Sequence, residues 1–327
     1  LCVKKWFVFC AGKKQEDHMK PLVIGLGQCS LDILGQVDNY PALDEKAELN
    51  SLLVHGGGPV ATALVTLSRL GVPVASVGAV GDDDFGRQIR EGLVQENVDC
   101  TYLLQSPQSS SQVAFVTVDA QGHRNIFWHR GTAHPVIPEG LPGLLADSVR
   151  ILHLDGLHLD PAIAAAKLAR RLAVTTVLDA GTLRPGIEDL LPFIDHLVVS
   201  EKFARQFIGK EDPEAAIRGL LSYGAVAVTV TMGRSGSLSM GKGVPPIHQP
   251  AFAVKAIDTT GCGDVFHGGY IYGLLQDWPI ERTVRFAAAC AALKARALGG
   301  RTAIPRLQEV ESFLSCQVER PTPEAIG

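Results

Sequence analysis

From residue 150 onward, short apolar runs alternate with amphipathic stretches. Residues 151–154, 175–179, 196–199 and 225–230 read as strands, and 162–173, 202–208 and 213–223 read as helices between them. Near-continuous runs of Val, Ile, Leu and Ala suit strands buried on both faces. Strands alternating with helices predict a mostly parallel sheet with helices on both sides. The chain opens in the same way. Residues 22–27 read as a first strand, 60–70 as a helix closed by Gly71, 74–80 as a buried strand and 85–95 as a helix. Residues 34–55 and 101–130 have a different texture, with strand-like segments and no helical period. Within them, 112–119 and 125–128 flank Asp119-Ala120-Gln121-Gly122, a hairpin signal. The expected architecture is one three-layer α/β/α domain over 19–320, with a mostly parallel central sheet. A small β-sheet lid is inserted from about 33–54 and 101–130. Residues 1–18 are expected to be a non-structural extension and 321–327 a tail.

Composition narrows the function classes. A net charge of −4 over 327 residues gives no basic face for nucleic acid. No apolar run reaches the roughly 18 residues that span a bilayer. The seven cysteines (2, 10, 29, 100, 262, 290 and 316) are scattered, odd in number and without C-x-x-C spacing. Reduced thiols in a cytoplasmic protein are the expectation. Lys4-Lys5 followed by Trp6-Phe7-Val8-Phe9 only faintly imitates a signal peptide.

The chemistry concentrates in Ile257-Asp258-Thr259-Thr260-Gly261-Cys262-Gly263-Asp264-Val265-Phe266-His267-Gly268-Gly269. A small-residue loop feeding a helix start makes an anion site, because unpaired N–H groups and the helix dipole both point at the ligand. A carboxylate beside an anion site is electrostatically unfavourable unless it has a task. Asp264 would accept a proton from a hydroxyl while the amides of Gly261, Cys262 and Gly263 hold the phosphoryl group. A helix N-terminus could lower the Cys262 pKa; alternatively Cys262 is simply a small residue in a tolerant loop.

This stretch resembles the D-T-x-G-x-G-D signature of the ribokinase-like (PfkB) carbohydrate kinases; no G-K-[ST] follows, so it is not a Walker A loop. Gly56-Gly57-Gly58-Pro59-Val60-Ala61-Thr62 resembles that family's N-terminal signature, with Thr62 where the family has asparagine. Gly81-Asp82-Asp83-Asp84-Phe85-Gly86 matches a third element, read as a helix cap. Ser200-Glu201, residues 249–252 and residues 299–305 extend the similarity to the sulfofructose kinase branch, over essentially 20–317.

The resemblance implies a ribokinase-like fold and an ATP- and Mg²⁺-dependent sugar kinase. Asp32, Gly57, Gly58, Thr62 and Lys46 would meet the sugar; Thr231, Gly233, Gly236 and Thr260 would meet ATP. The residues themselves leave alternatives open. Asp32 also reads as a turn former, Thr62 as a core residue and Lys46 as a solvated charge. Glu201 is either a water-mediated Mg²⁺ contact or a surface helix start. The resemblance further implies a monovalent cation such as K⁺ on Asp258 and the Thr260 carbonyl, and a homodimer through the lid. The acceptor stays open among ketoses, pentoses and sulfo- or phosphosugars. Arg124 and Arg130 flank a lid strand and could reach an anionic acceptor. A nucleoside kinase with a base held by Phe115, Phe127 and Trp128, or a catalytically silent binding protein, are the rival readings.

Overall fold

The computed structural model describes residues 19–318, apart from 122, 136 and 138. Residues 1–18 and 319–327, where the extension and tail were expected, lie outside the described residues. The strands are β1 (Val23–Leu26), β2 (Ser30–Gln36), β3 (Ser51–Gly57), β4 (Val74–Gly81), β5 (Val98–Asp99), β6 (Leu103–Ser106), β7 (Gln112–Val118), β8 (Arg124–His129), β9 (Ile151–Leu154), β10 (Thr175–Ala180), β11 (His196–Ser200), β12 (Ala227–Thr231), β13 (Ser237–Gly241) and β14 (Ile247–Gln249). The helices are α1 (Pro59–Arg69), α2 (Asp84–Gln95), α3 (Leu141–Asp147), α4 (Leu159–Arg171), α5 (Glu201–Ile208), α6 (Pro213–Leu221), α7 (Cys262–Leu275), α8 (Ile280–Lys294) and α9 (Leu307–Val318).

The central sheet runs β14-β13-β12-β11-β10-β9-β1-β4-β5, with β6 also on β4. It is parallel except at the β12–β13–β14 edge. Side-chain alternation splits the core into two layers. Val23, Ile151, Val177 and Val198 face a cluster with α1, α7 and α8. Their neighbours Ile24, Leu152, Leu178 and Leu197 face the cluster built on α4, α5 and α6. No helix among the described residues is long and apolar enough to cross a membrane.

The second sheet, β3-β2-β7-β8, pairs β2 with β7 in parallel and is otherwise antiparallel. Its inward face carries Leu34, Ala114, Val116 and Val118 over Leu298. This is the small sheet expected from 33–54 and 101–130, with one correction. Leu103–Ser106 pairs with β4 in the central sheet and is not part of the lid. Its edge position and short length gave no periodic signal.

Asp83, in the run of three aspartates, caps α2. Its Oδ1 accepts the Gly86 amide at 2.7 Å, and its Oδ2 accepts the Ser111 amide at 2.8 Å. Burial alone would raise its carboxyl pKa, but the Ser111 hydroxyl, the Ser111 amide and the Gly86 amide together bring it below the usual range.

Candidate active site

Parallel sheets place ligands beyond the carboxyl ends of their strands. Here those ends present Asp155 after β9, Asp179 in β10 and the 258–264 loop before α7. Gly261 caps α7 in the left-handed region (φ 77°), and a Cβ there would stand 2.7 Å from the Gly300 carbonyl. Only glycine fits both requirements. No side chain caps the helix. The Cys262 amide, however, donates to the Thr259 carbonyl at 3.2 Å. Of the three expected donors it is therefore committed, while the Gly261, Gly263 and Asp264 amides have no partner among the described residues. The Cys262 thiol is pushed up to about 11 by burial, with Lys294 only partly opposing, so this cysteine is not activated.

Asp264 lies in the first turn of α7 and keeps a half-exposed edge. Burial pushes its carboxyl up to about 7; the Asp179 charge adds to the shift, His267 opposes it, Asp32 adds and Arg301 opposes. His267, one turn on, faces oxygen acceptors from both ring nitrogens. Nδ1 is 2.7 Å from the Gly263 carbonyl and 3.3 Å from Asp179 Oδ2, and Nε2 is 3.0 Å from the Val198 carbonyl. It ties the loop, β10 and β11 beneath Asp264.

Asp32 is buried on β2, takes the Ser30 hydroxyl at 2.8 Å, and shares its face with His55, Ala114 and Trp128. Gly57 leaves the room its carboxyl occupies, and Gly58 turns (φ 92°) into α1. Burial raises the Asp32 pKa; Ser30, His55 and Arg301 oppose. Thr62 needs correction. It is buried, and its hydroxyl accepts Arg301 Nε at 3.2 Å, so it holds an arginine in place of sugar. Arg301, which entered the sequence analysis only as part of residues 299–305, also donates through Nη2 to the Gly57 carbonyl at 2.7 Å. Its partners lie more than 200 residues away, so nothing local marks these contacts.

The loop expected to meet ATP follows β12. Thr231 ends the strand, Gly233 (φ 56°) opens a 3₁₀ turn and Gly236 (φ 89°) closes it, with the Met232 amide donating to the Gly236 carbonyl at 2.8 Å. Thr260 instead meets the lid: its hydroxyl accepts Arg124 Nη1 at 3.2 Å. Arg124 thus reaches the anion loop. Glu201 is an exposed first-turn residue of α5, whose cap is Ser200, and among the described residues no hydrogen bond ties it to the loop. Lys46 is exposed between β2 and β3 and does not line the cavity described next.

That cavity, about 620 Å³, opens where the β9 and β10 ends meet the lid, lined by Arg130, His134, Leu157, His158, Asp160 and Arg184 among others. Arg130 Nη2 donates to the Leu157 carbonyl at 2.8 Å. The Arg184 carbonyl accepts the Ile187 amide at 3.3 Å, while its guanidinium makes no hydrogen bond among the described residues. His158 is pushed down to about 4, by burial first and then by Arg130, His134 and Arg184. Asp155 beneath is committed to the Gln28 and Leu157 amides at 2.6 and 2.9 Å. Among the lining side chains two guanidinium groups, Arg130 and Arg184, accompany one carboxylate, Asp160.

The fold and the loop point to a class, carbohydrate kinases that phosphorylate an alcohol group, and sequence comparison agrees. The pfkB family carbohydrate kinase model matches residues 20–307, and the chain belongs to that family. It is 27% identical to a ribokinase of Haemophilus influenzae over 90% of this chain and 99% of that protein. It is 31% identical to an ATP-dependent ribose-1-phosphate kinase of Halopiger xanaduensis over 90% and 98%. The structure of Arabidopsis thaliana ribokinase complexed with ribose and ATP superposes with a TM-score of 0.82 at 26% identity, covering 90% of this chain and 99% of that one.

Proposed function

We propose that the enzyme transfers the γ-phosphoryl group of ATP to a primary hydroxyl of a small sugar, with Asp264 as the general base. The observation that carries this reading is the Asp264 carboxyl at the head of α7, beside the unpartnered Gly261 and Gly263 amides. Its pKa near 7 suits a group that must take a proton at neutral pH. Mg²⁺ enters on the nucleotide as Mg–ATP. The two amides meet charge on the transferring phosphoryl group. Asp32 orients the sugar hydroxyls, and lid closure excludes water. The intact Asp264 disfavours a silent binder. Phe115 and Phe127 share a row on the outer face of the lid with Val54 and Ile33, away from Asp32. Only Trp128 of the three aromatic residues faces the site, which disfavours a base sandwich.

We further infer that the acceptor carries an anionic group at the end remote from the attacked hydroxyl. Arg130 and Arg184 supply the paired guanidinium donors that phosphate, sulfonate or carboxylate requires. The relative from Halopiger is named for a phosphorylated sugar. Arg184→Gln should raise KM for a phosphorylated or sulfonated sugar roughly 10- to 100-fold, in line with the loss of a charge-assisted contact. KM for ATP should not move. Equal KM values for wild type and variant would remove Arg184 from the acceptor site.

The exposed outer row of the lid, with Val54 (47%), Phe115 (49%) and Phe127 (68%), supports a homodimer formed through the lid. Light scattering at micromolar concentration should give twice the chain mass, and Phe127→Glu should halve it. A monomeric wild type would contradict the dimer.

A further inference from the structure

The family resemblance implies a monovalent cation beside the anion loop, on Asp258 and the Thr260 carbonyl. The residues present do not fit that ion. Each Asp258 carboxylate oxygen already accepts a backbone amide, Oδ1 that of Thr260 and Oδ2 that of Gly299, each at 2.8 Å. The Asp258 carbonyl accepts Lys294 Nζ at 2.9 Å, and the same nitrogen lies 4.0 Å from Asp258 Oδ2. Lys294, the last residue of α8, is wholly buried. The neighbouring chain is stitched to the same place, since the Ile257 amide donates to the Ala295 carbonyl at 2.7 Å and Cys262 Sγ reaches the Ala291 carbonyl at 3.5 Å. A metal ion on Asp258 Oδ2 would stand against the buried Lys294 ammonium, which lies 4.0 Å from that oxygen.

We infer that the Lys294 ammonium takes the place of the monovalent cation, so that this enzyme works without one. Lys294 is a positioning residue. Through Asp258 it holds the segment leading to Gly261, and so the direction in which the Gly261 and Gly263 amides point. A lysine serves here because its ammonium is a compact point charge on a long stem, able to end inside a cluster of oxygens. The inference rests on the phosphotransfer reading of residues 258–264.

The test compares initial rates in tetramethylammonium, sodium, potassium and caesium chlorides at constant ionic strength. Wild-type rates within about two-fold of one another are expected. Five-fold or greater activation by potassium over tetramethylammonium overturns the inference. ATP affinity by calorimetry in the same salts makes the comparison without turnover, so failure to find the acceptor leaves the cation question decidable. Equal affinities support the inference, and potassium-dependent tightening overturns it. Lys294→Ala opens the space beside Asp258. If folded, it should be at least ten-fold slower and be restored several-fold by potassium but not by tetramethylammonium. A slow, folded variant that potassium leaves unchanged also counts against the inference. If the variant does not fold, the wild-type salt series decides.

Discussion

Asp264→Asn is expected to lower turnover by about 10²- to 10⁴-fold, the range attributed to a positioned general base. Affinity for ATP should hardly change, because asparagine keeps the size of the side chain and the loop amides are untouched. The wild type should show kcat/KM falling on the acid side of an apparent pKa near 7, since only the ionised carboxyl accepts the proton. The same substitution should make the protein more stable at pH 8. The folded carboxyl titrates near 7, above its ordinary value of 3.8, with burial and the Asp179 charge as its two largest upward causes. A raised carboxyl pKa favours the folded state while the group is protonated. That contribution declines as pH rises from about 4 to about 7. Above pH 7 the ionised carboxyl is a buried charge that asparagine does not carry. Relief on the order of 2 kcal/mol is expected, at 1.36 kcal/mol per pKa unit and with allowance for the half-exposed edge. Thermal unfolding at pH 5 and pH 8 reads this directly, with the variant gaining over wild type at pH 8 and losing most of that advantage at pH 5. Wild-type turnover in the variant would remove Asp264 from the mechanism.

Arg301→Met is expected to be strongly destabilising, at about 2–4 kcal/mol, the cost of leaving buried acceptors without their donors. Arg301 is buried and opposes the rise in the Asp32 and Asp264 pKa values. Its removal leaves the Gly57 carbonyl and the Thr62 hydroxyl without their guanidinium donors. It also takes away one of the groups, with Ser30 and His55, that oppose the rise in the Asp32 pKa. Methionine fills much of the volume but supplies no donor. Urea unfolding of the two proteins measures the difference. A loss below about 1 kcal/mol would mean that the guanidinium is not what holds the lid strand to α1.

The parts of this molecule legible in sequence are those whose cause is local. Residues 22–27, 151–154, 175–179 and 196–199 are strands because each is an apolar run bounded by turns and buried on both faces. The 258–264 loop is legible because its glycines and its aspartate act through their own backbone. β5, β6 and β14 are two to four residues long at sheet edges, too short for any period to register. The rest of the site is assembled from distant pieces. Arg130 and Arg184 converge at the β9 end, although the segment 154–158 itself holds no arginine. Lys294 lies in an alanine-rich helix that reads as ordinary packing, and only the fold brings it to Asp258, 36 residues away. Thr62 occupies the position of a family asparagine, yet its hydroxyl serves Arg301, 239 residues along the chain.

The most direct test of the central claim is ADP release from Mg–ATP, for wild type and Asp264→Asn, against fructose 6-phosphate, 6-deoxy-6-sulfofructose, ribose 1-phosphate, fructose, ribose and adenosine. The predicted result is ADP release that depends on a phosphorylated or sulfonated sugar and is nearly abolished by the substitution. ATP binding without acceptor-dependent ADP release from any of them, or release that Asp264→Asn leaves intact, would contradict the account.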